Sequence, residues 1–272
     1  MMRLSPSARR RLRAQVMVAV ILVMAWPIGL SAQWISLPLP DTPRTSDGAP
    51  NLSAPAPTTD GGRPDLTGIW RRVRGINTPL ENPARLPGRM EYFLPQDEEI
   101  PLRPEGAALY QERTDNLGGG RPSERCLPHG IPDAMLYGGP MKIVQTENLS
   151  IILFEAFTNY RQIHTDGRSF PQNDPQPTWF GYSLGRWDGD TFVVETMGFN
   201  DRTWMDDSGL PHSESLKTTE RFRRLDFGHM DLEITFDDPE LYTRPWSVNL
   251  ALDLWPDTEL IENICENEKD AE

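Results

Sequence analysis

Positive charge is scarce in this sequence, and that scarcity excludes several kinds of partner. The chain of 272 residues has 27 lysines and arginines against 40 aspartates and glutamates, which gives a net charge of −13. Five of the arginines lie in the first 32 residues, which contain no acidic residue, so removing that segment changes −13 to −18. Such a charge repels nucleic-acid phosphates and anionic lipid headgroups. We therefore expect neither nucleic acid nor anionic lipid as a partner.

An apolar run long enough to cross a membrane is also missing from the N-terminal region. Arginines precede an apolar run from Val16 to about Met24, and the small pair Ser31-Ala32 fits a cleavage site. The run is shorter than the ~20 residues that span a bilayer, and an uncleaved anchor is the alternative interpretation. We predict a signal peptide over residues 1–32, a periplasmic or secreted protein, and no stable membrane insertion after cleavage.

Cysteine is limited to two residues, Cys126 and Cys265. In an exported chain such a pair more often forms a disulfide than serves as nucleophiles or metal ligands. We predict a Cys126–Cys265 disulfide, with two buried free thiols as the alternative.

Apolar residues are few from 33 to 64, where prolines interrupt any regular element, so we expect a disordered tether there. Residues 266–272 are predicted to be an acidic tail.

Long helices that alternate with strands are absent, which argues against a Rossmann-type α/β fold. The clearest element is a hairpin, in which Tyr182–Trp187 and Thr191–Thr196 flank the turn dipeptide Asp188-Gly189. Nine or ten such strands predict an all-β domain over residues 65–265. We expect an antiparallel meander closing into a β-barrel, with a two-sheet β-sandwich as the alternative.

The remaining elements of that domain follow from the turn signals. Gly68-Ile69-Trp70 resembles the opening of lipocalin-like barrels, and this resemblance implies that the meander closes into a lipocalin-like β-barrel. Residues 74–140 are predicted to form a loop and helix lid, with one helix over Pro104–Asp115 and with His129 and Asp133 in the part that folds over a barrel end. The other predicted strands are Met141–Glu147, Leu149–Phe157, Tyr160–Thr165, Leu216–Asp226, Met230–Phe236, Trp246–Leu254 and Thr258–Cys265.

A polar stripe on one predicted strand is the first candidate site. A period of two places Tyr160, Gln162 and His164 on one face, with Asp166 and Arg168 at the following turn. If that face lines a barrel cavity, its polar side chains are suited to ligand binding. His164 is then suited to acid–base catalysis near neutral pH. A histidine that is satisfied structurally by Asp166 is the alternative.

The second candidate site is the segment Pro211–Glu214. His212 and Glu214 lie two residues apart, so the carboxylate could orient the imidazole for acid–base catalysis. Ser213 lacks a nucleophile-elbow pattern, which argues against a serine hydrolase. No histidine and carboxylate spacing matches an established metal motif, so we predict no metal and no cofactor. A zinc or manganese site that combines His164, His212 and a carboxylate such as Glu155, Glu195 or Glu214 is the alternative.

Aromatic and polar side chains around the hairpin supply further candidate ligand contacts. Most of the aromatic residues are expected in the core, but Trp179 and Trp204 lie in predicted loops where a ring can contact a flat ligand. The predicted contacts of this group are Trp179, Tyr182, Glu195, Asn200 and Trp204.

Three motifs resemble those of exported β-rich proteins of soil bacteria. They are the Gly-Arg-Trp-x-Gly-Asp-Thr-x-Val-Val-Glu-Thr hairpin at Gly185–Thr196, the Asn-Asp-x-Thr-Trp loop at Asn200–Trp204 and the Pro-His-Ser-Glu segment at Pro211–Glu214. The resemblance covers the chain from about Asp65 onward. It implies homology and export, and it names no reaction.

Together these patterns predict an exported barrel that binds a small hydrophobic or aromatic molecule. A non-hydrolytic enzyme, such as an isomerase, lyase or hydratase with histidine and carboxylate groups in the cavity, is the alternative. An interaction module that presents the Asn200–Glu214 loop to another protein is a third hypothesis. The sequence does not indicate an oligomeric state.

Overall fold

The computed structural model describes residues 37–73, 89–173 and 176–265. The predicted signal peptide, the first residues of the predicted tether, residues 74–88 of the predicted lid and the acidic tail lie outside them. The described residues belong to one compact unit. Within these residues, none of the helices has the length and apolar character that a membrane span requires.

Nine strands form a single closed barrel, which confirms the predicted fold class. Neighbours in sequence are neighbours in space, and β9 pairs with β1 to close the sheet through Trp70 opposite Leu254. The strands are β1 (Gly68–Arg72), β2 (Met141–Gln145), β3 (Leu149–Phe154), β4 (Asn159–His164), β5 (Tyr182–Asp188), β6 (Thr191–Met197), β7 (Lys217–Arg224), β8 (His229–Asp237) and β9 (Trp246–Leu254). We name the two ends of the barrel after β1, as the Gly68 end and the Arg72 end.

One strand pair departs from the predicted antiparallel meander. An odd number of strands cannot alternate in direction all the way round a closed sheet, so one pair must be parallel. That pair is β4 with β5, where Ile163 lies opposite Ser183. A parallel pair needs a crossover connection of a dozen or more residues. Residues 165–181 provide this connection.

The predicted strand Thr258–Cys265 does not form. This segment makes one isolated bridge, between Ala156 and Asn263. The reason is that pairing of β1 with β9 has already closed the sheet, so no free strand edge remains.

The barrel interior is filled by side chains. Trp70, Phe154, Phe222 and Phe236 are among the buried residues, and the alternating burial of each strand places them on the inner side. Such packing is typical of small barrels, whose interior is just wide enough for side chains. The core therefore occupies the space where the sequence led us to expect a ligand cavity.

Residues 37–64 lie against the barrel, in contrast to the expected disordered tether. Arg44 forms an ion pair with Asp257, and Ala54 is buried. The backbone carbonyls of Leu52 and Ala54 accept hydrogen bonds from Gly228 and Phe227. Hydrogen bonds and an ion pair to turns of the barrel thus hold this segment in place, although it contains few apolar side chains that could be buried.

Residues 89–140 pack at the Arg72 end. They contain a 3-10 helix at Met90–Phe93, helix α1 (Pro104–Asp115), a second 3-10 helix at Pro122–Arg125 and helix α2 (Asp133–Leu136). The bounds of α1 agree with the predicted helix. Met90 and Phe93 from the first helix and Met135 and Leu136 from α2 join the apolar core.

The predicted disulfide is confirmed. Cys126 and Cys265, 139 residues apart, are bonded with their Cα atoms 5.4 Å apart. The bond connects residues 89–140 to the segment that follows β9. A disulfide of this kind is typical of proteins outside the cytoplasm.

Candidate functional site

The predicted stripe on β4 faces outward. Tyr160 is 61% exposed and Gln162 is exposed, whereas Arg161 and Ile163 are buried. The interpretation that Tyr160, Gln162 and His164 line a cavity inside the barrel is therefore wrong in orientation. Period two gave the correct grouping of the stripe but could not tell the inner face from the outer one.

A shallow groove on the outer surface nevertheless collects several predicted residues. It has a volume of about 430 Å³, and its lining includes His164, Arg168 and Glu195. The guanidinium of Arg168 donates to the Tyr182 hydroxyl at 3.2 Å, and the His164 ring lies 5.1 Å from the Tyr182 ring. Asp166 pairs with Arg168, not with His164.

Two charges in this groove affect titration. The hydrogen bond from Arg168 lowers the pKa of Asp166 to about 2. Partial burial and the positive charge of Arg168 lower the pKa of His164. At neutral pH the groove therefore presents a mostly neutral imidazole next to an ion pair.

His212 lies apart from His164, in the connection between β6 and β7 at the opposite end of the barrel. Its Nδ1 lies 3.0 Å from the Ser213 carbonyl, so Nδ1 carries the proton and donates it. Nε2 then accepts from the Thr203 hydroxyl at 2.5 Å. Burial lowers the pKa of His212. With both ring nitrogens engaged and Glu214 exposed, His212 and Glu214 do not form the expected catalytic pair.

The remaining predicted contacts hold the loops at the Arg72 end. The Arg202 guanidinium lies 5.1 Å from the Trp179 ring, and that of Arg113 lies 4.6 Å from the Trp204 ring. Asn200 is buried and accepts a hydrogen bond from the Arg202 backbone. The three side chains therefore have structural partners within the chain.

A mainly apolar pocket opens at the Gly68 end. Its volume is about 360 Å³, and its lining includes Leu39, Ile69, Phe227, Leu254, Trp255 and Arg224. Several separate parts of the chain build it: the segment before β1, strands β1 and β2, the β7–β8 turn, and the end of β9 with the residues that follow it. The sequence did not indicate this pocket, because no single segment carries its pattern.

Arg224 supplies a positive charge at the wall of this pocket. Its guanidinium donates to the backbone carbonyls of Asp65, Asp226 and Phe227. It also lies 5.0 Å from the Trp70 ring. Burial lowers the pKa of Arg224 to about 10, so it remains charged at neutral pH.

A buried cluster of His129, Asp133 and Asp207 lies at the Arg72 end. His129 Nδ1 is 2.6 Å from Asp133 Oδ2, and all three side chains are at least nine-tenths buried. One potential ligand atom from each residue lies within 4.8 Å of the others. Burial tends to lower the pKa of His129, but the hydrogen bond and charge of Asp133 outweigh it and raise that pKa. Burial and the charge of Asp133 raise the pKa of Asp207 to about 6.

Backbone geometry brings this cluster together. Gly130 has φ +72°, and a Cβ there would lie 2.4 Å from a Thr203 methyl group and 2.7 Å from the Trp179 carbonyl. Only glycine allows so close an approach between the loop of His129 and the loop of Asp207. Asp206 fixes the second loop, because it accepts hydrogen bonds from the backbones of Met90, Ser208 and Leu210.

No protein-family model, curated protein or solved structure matches this chain. The functional interpretation therefore rests on geometry and chemistry. The resemblance to exported soil-bacterial proteins stays a prediction.

Proposed function

We propose that this chain is an exported β-barrel protein that binds a small hydrophobic or aromatic molecule. The observation that carries the proposal is the apolar pocket at the Gly68 end. A volume of about 360 Å³ lies in the range of small-molecule sites, which are mostly apolar with a few convergent polar groups. The packed barrel interior makes this end pocket a better candidate than a central cavity.

The lining suggests the chemistry of the ligand. Phe227 and Trp255 provide aromatic surface, and Ile69 and Leu254 provide aliphatic surface. Lys142 at the same wall forms an ion pair with Glu259 at 3.0 Å, and Arg224 donates to three backbone carbonyls, so neither charge is left to attract an anion. A mainly apolar aromatic molecule fits this combination. Export is supported by the disulfide and by the N-terminal sequence pattern.

A fluorescent aromatic sulfonate, 1-anilinonaphthalene-8-sulfonate, tests the proposal. The full chain, expressed for export and recovered from the periplasm, should bind the probe saturably, and Trp255→Ala should weaken binding by about tenfold. The matched control is Trp179→Ala. Both tryptophans have an arginine over the ring, Arg71 at 5.3 Å for Trp255 and Arg202 at 5.1 Å for Trp179, but Trp179 lies outside the pocket.

Native mass spectrometry of the same sample complements the probe. An organic molecule that copurifies with the unmodified chain, and is lost with Trp255→Ala, would support the proposal and identify the ligand class. Equal probe binding by both tryptophan variants, together with a bare polypeptide mass, would refute it.

The outer groove favours a second candidate, a non-hydrolytic acid–base enzyme such as an isomerase, lyase or hydratase. His164 and Glu195 line the groove on either side of Leu184, which lies opposite each of them in strand register. Incubation of the copurified molecule with protein in D₂O separates the candidates. An enzyme of this kind should catalyse deuterium incorporation that is lost in His164→Ala while binding is kept. A binding protein should catalyse none.

A further inference from the structure

We propose that His129, Asp133 and Asp207 bind a divalent transition-metal ion of the zinc or manganese type. The site lies at the Arg72 end, at the opposite end of the barrel from the apolar pocket, and does not depend on that pocket binding a ligand. One ligand atom from each side chain lies within 4.8 Å of the others. One imidazole nitrogen and carboxylate oxygens form a donor set that suits these ions.

Two buried atoms of the cluster lack hydrogen-bond partners. His129 Nε2 and Asp133 Oδ1 have none among the residues that the structure describes. Their side chains are nearly fully buried, so bulk water cannot satisfy them. Buried polar atoms are nearly always paired, and an unpaired one suggests an ion or another group that is bound in place.

The negative charge of the cluster is only partly balanced by the protein. The closest approach of Arg121 to Asp207 is 4.0 Å, and the same guanidinium lies 3.9 Å from Glu124. The Arg121 side chain is 32% exposed, so solvent partly screens its charge. Burying carboxylates is costly unless cations or hydrogen bonds compensate. A divalent cation between Asp133 and Asp207 supplies that compensation.

The geometry requires one side-chain adjustment to hold an ion. A metal about 2.1 Å from each of three donors at tetrahedral angles needs the donor atoms to lie about 3.4 Å apart. The cluster atoms lie within 4.8 Å of one another, so the widest separation must close by up to about 1.4 Å. Rotation of the Asp207 carboxylate can provide this, because the terminal torsion of aspartate is broad.

The surroundings of His129 also suit a metal ligand. Its ring is held between Tyr137, at 4.7 Å, and Phe157, at 4.8 Å. Apolar rings around a ligand limit solvent access and fix the ring orientation. Three protein ligands leave at least one coordination position for water or a small molecule, as in catalytic zinc sites.

Calorimetric titration with ZnCl₂ and with MnCl₂ tests the proposal. The full chain without a histidine tag is stripped with EDTA, dialysed and titrated. We expect one saturable site per chain for at least one of the two ions, with at least tenfold weaker binding in His129→Ala and in Asp207→Asn. The same ion should raise the Tm of the wild type and leave the Tm of both variants unchanged.

The matched control is His229→Ala. His229 also pairs with an aspartate through Nδ1, at 2.7 Å from Asp226 Oδ1, but this pair is partly exposed. Among the described residues, no third side chain completes a metal-ligand group with it. Its substitution should leave ion binding unchanged. Absence of saturable binding to the wild type, or binding unaffected by both cluster substitutions, would overturn the proposal.

Cobalt substitution keeps the test decisive if the cluster variants fail to fold. When Co²⁺ binds the stripped wild type, its d–d absorption spectrum should be that of cobalt with an imidazole ligand. If zinc is the preferred ion, Zn²⁺ should displace the bound Co²⁺ and remove this spectrum. A spectrum identical to that of aqueous Co²⁺ would contradict the site without any variant.

Discussion

Arg161 and Glu220 form a bidentate ion pair inside the barrel, although their strands β4 and β7 are separated by β5 and β6. The two guanidinium nitrogens of Arg161 donate to the two carboxylate oxygens at 2.9 and 2.5 Å. Arg161 also donates to Ser183 on β5 and Thr196 on β6. One side chain thus connects four consecutive strands and spans the only parallel pair of the barrel.

Removing one partner of this ion pair should destabilise the protein strongly. Arg161→Met or Glu220→Gln leaves the other group buried without its partner, so we expect a loss of about 3–5 kcal/mol in the free energy of unfolding. Replacing both residues by leucine removes both charges and should cost less than the sum of the single changes. Urea denaturation measures each value.

The exposed cross-strand pair Arg223–Asp231 is the control for that experiment. Its side chains are 60% and 49% exposed. Exposed ion pairs contribute about 0–1 kcal/mol, so Arg223→Met should change stability by less than that. Equal losses at Arg161 and Arg223 would contradict the role assigned to the interior pair.

The same ion pair explains why the inner face of β4 was predicted wrongly from the sequence. Tyr160, Gln162 and His164 alternate with Arg161 and Ile163, so both faces contain polar residues and hydrophobicity favours neither clearly. The deciding partner, Glu220, is 59 residues away in the chain. In β8, where Leu232 and Ile234 alternate with acidic residues, the same rule predicts the buried side correctly. Closure into a barrel could be predicted because it depends on strand count and hairpin turns.

His212 should make stability depend on pH. Burial lowers its pKa in the folded state, so the unfolded chain binds a proton more readily. The stabilisation that the buried, neutral His212 provides is therefore fully present above its pKa in the unfolded chain, about 6.5. This stabilisation is lost as pH falls below that value toward the pKa of the folded state. As pH falls below about 6.5, the free energy of unfolding of the wild type should decrease relative to that of His212→Gln, by up to about 1.4 kcal/mol per pH unit. A difference that stays constant from pH 8 to pH 5 would contradict this.

Gly130→Ala should destabilise the protein strongly, and Gly189→Ala is the reference for its loss of unfolding free energy. Both residues have positive φ, +72° and +58°, but a Cβ at Gly189 meets nothing within 4 Å. Gly189→Ala should therefore cost only the backbone penalty of about 1–2 kcal/mol. Gly130→Ala should cost about 1–3 kcal/mol more, because Thr203 and the Trp179 carbonyl must move. Chemical denaturation of the two variants compares them, and equal costs would show that the close approach is relieved easily.

The buried cluster around His129 shows where sequence reasoning reached its limit. His129 and Asp133 were expected in a lid over one end, but their chemical role depends on Asp207, 74 residues further along the chain. The group Asp201, Asp206 and Asp207 is indistinguishable from a solvated acidic loop in the sequence, although the latter two are buried. The spacing of His129 and Asp133, four residues apart around Gly130, was the one local signal that could have indicated a pair.

The Cys126–Cys265 disulfide should stabilise both the chain and the Arg72 end. It closes a loop of 139 residues, for which chain-entropy arguments give roughly 4–5 kcal/mol as an upper figure. Cys126 lies three residues before His129, so Cys126→Ser with Cys265→Ser should also loosen the segment that holds the buried cluster.

Urea denaturation measures the total loss of unfolding free energy, and hydrogen exchange shows which segments lose protection. Exchange should increase most around residues 121–137, while the β7–β8 hairpin, far from the bond in sequence and held by eight cross-strand pairs, keeps its protection. Uniformly faster exchange across the barrel would instead show that the disulfide stabilises the chain only globally.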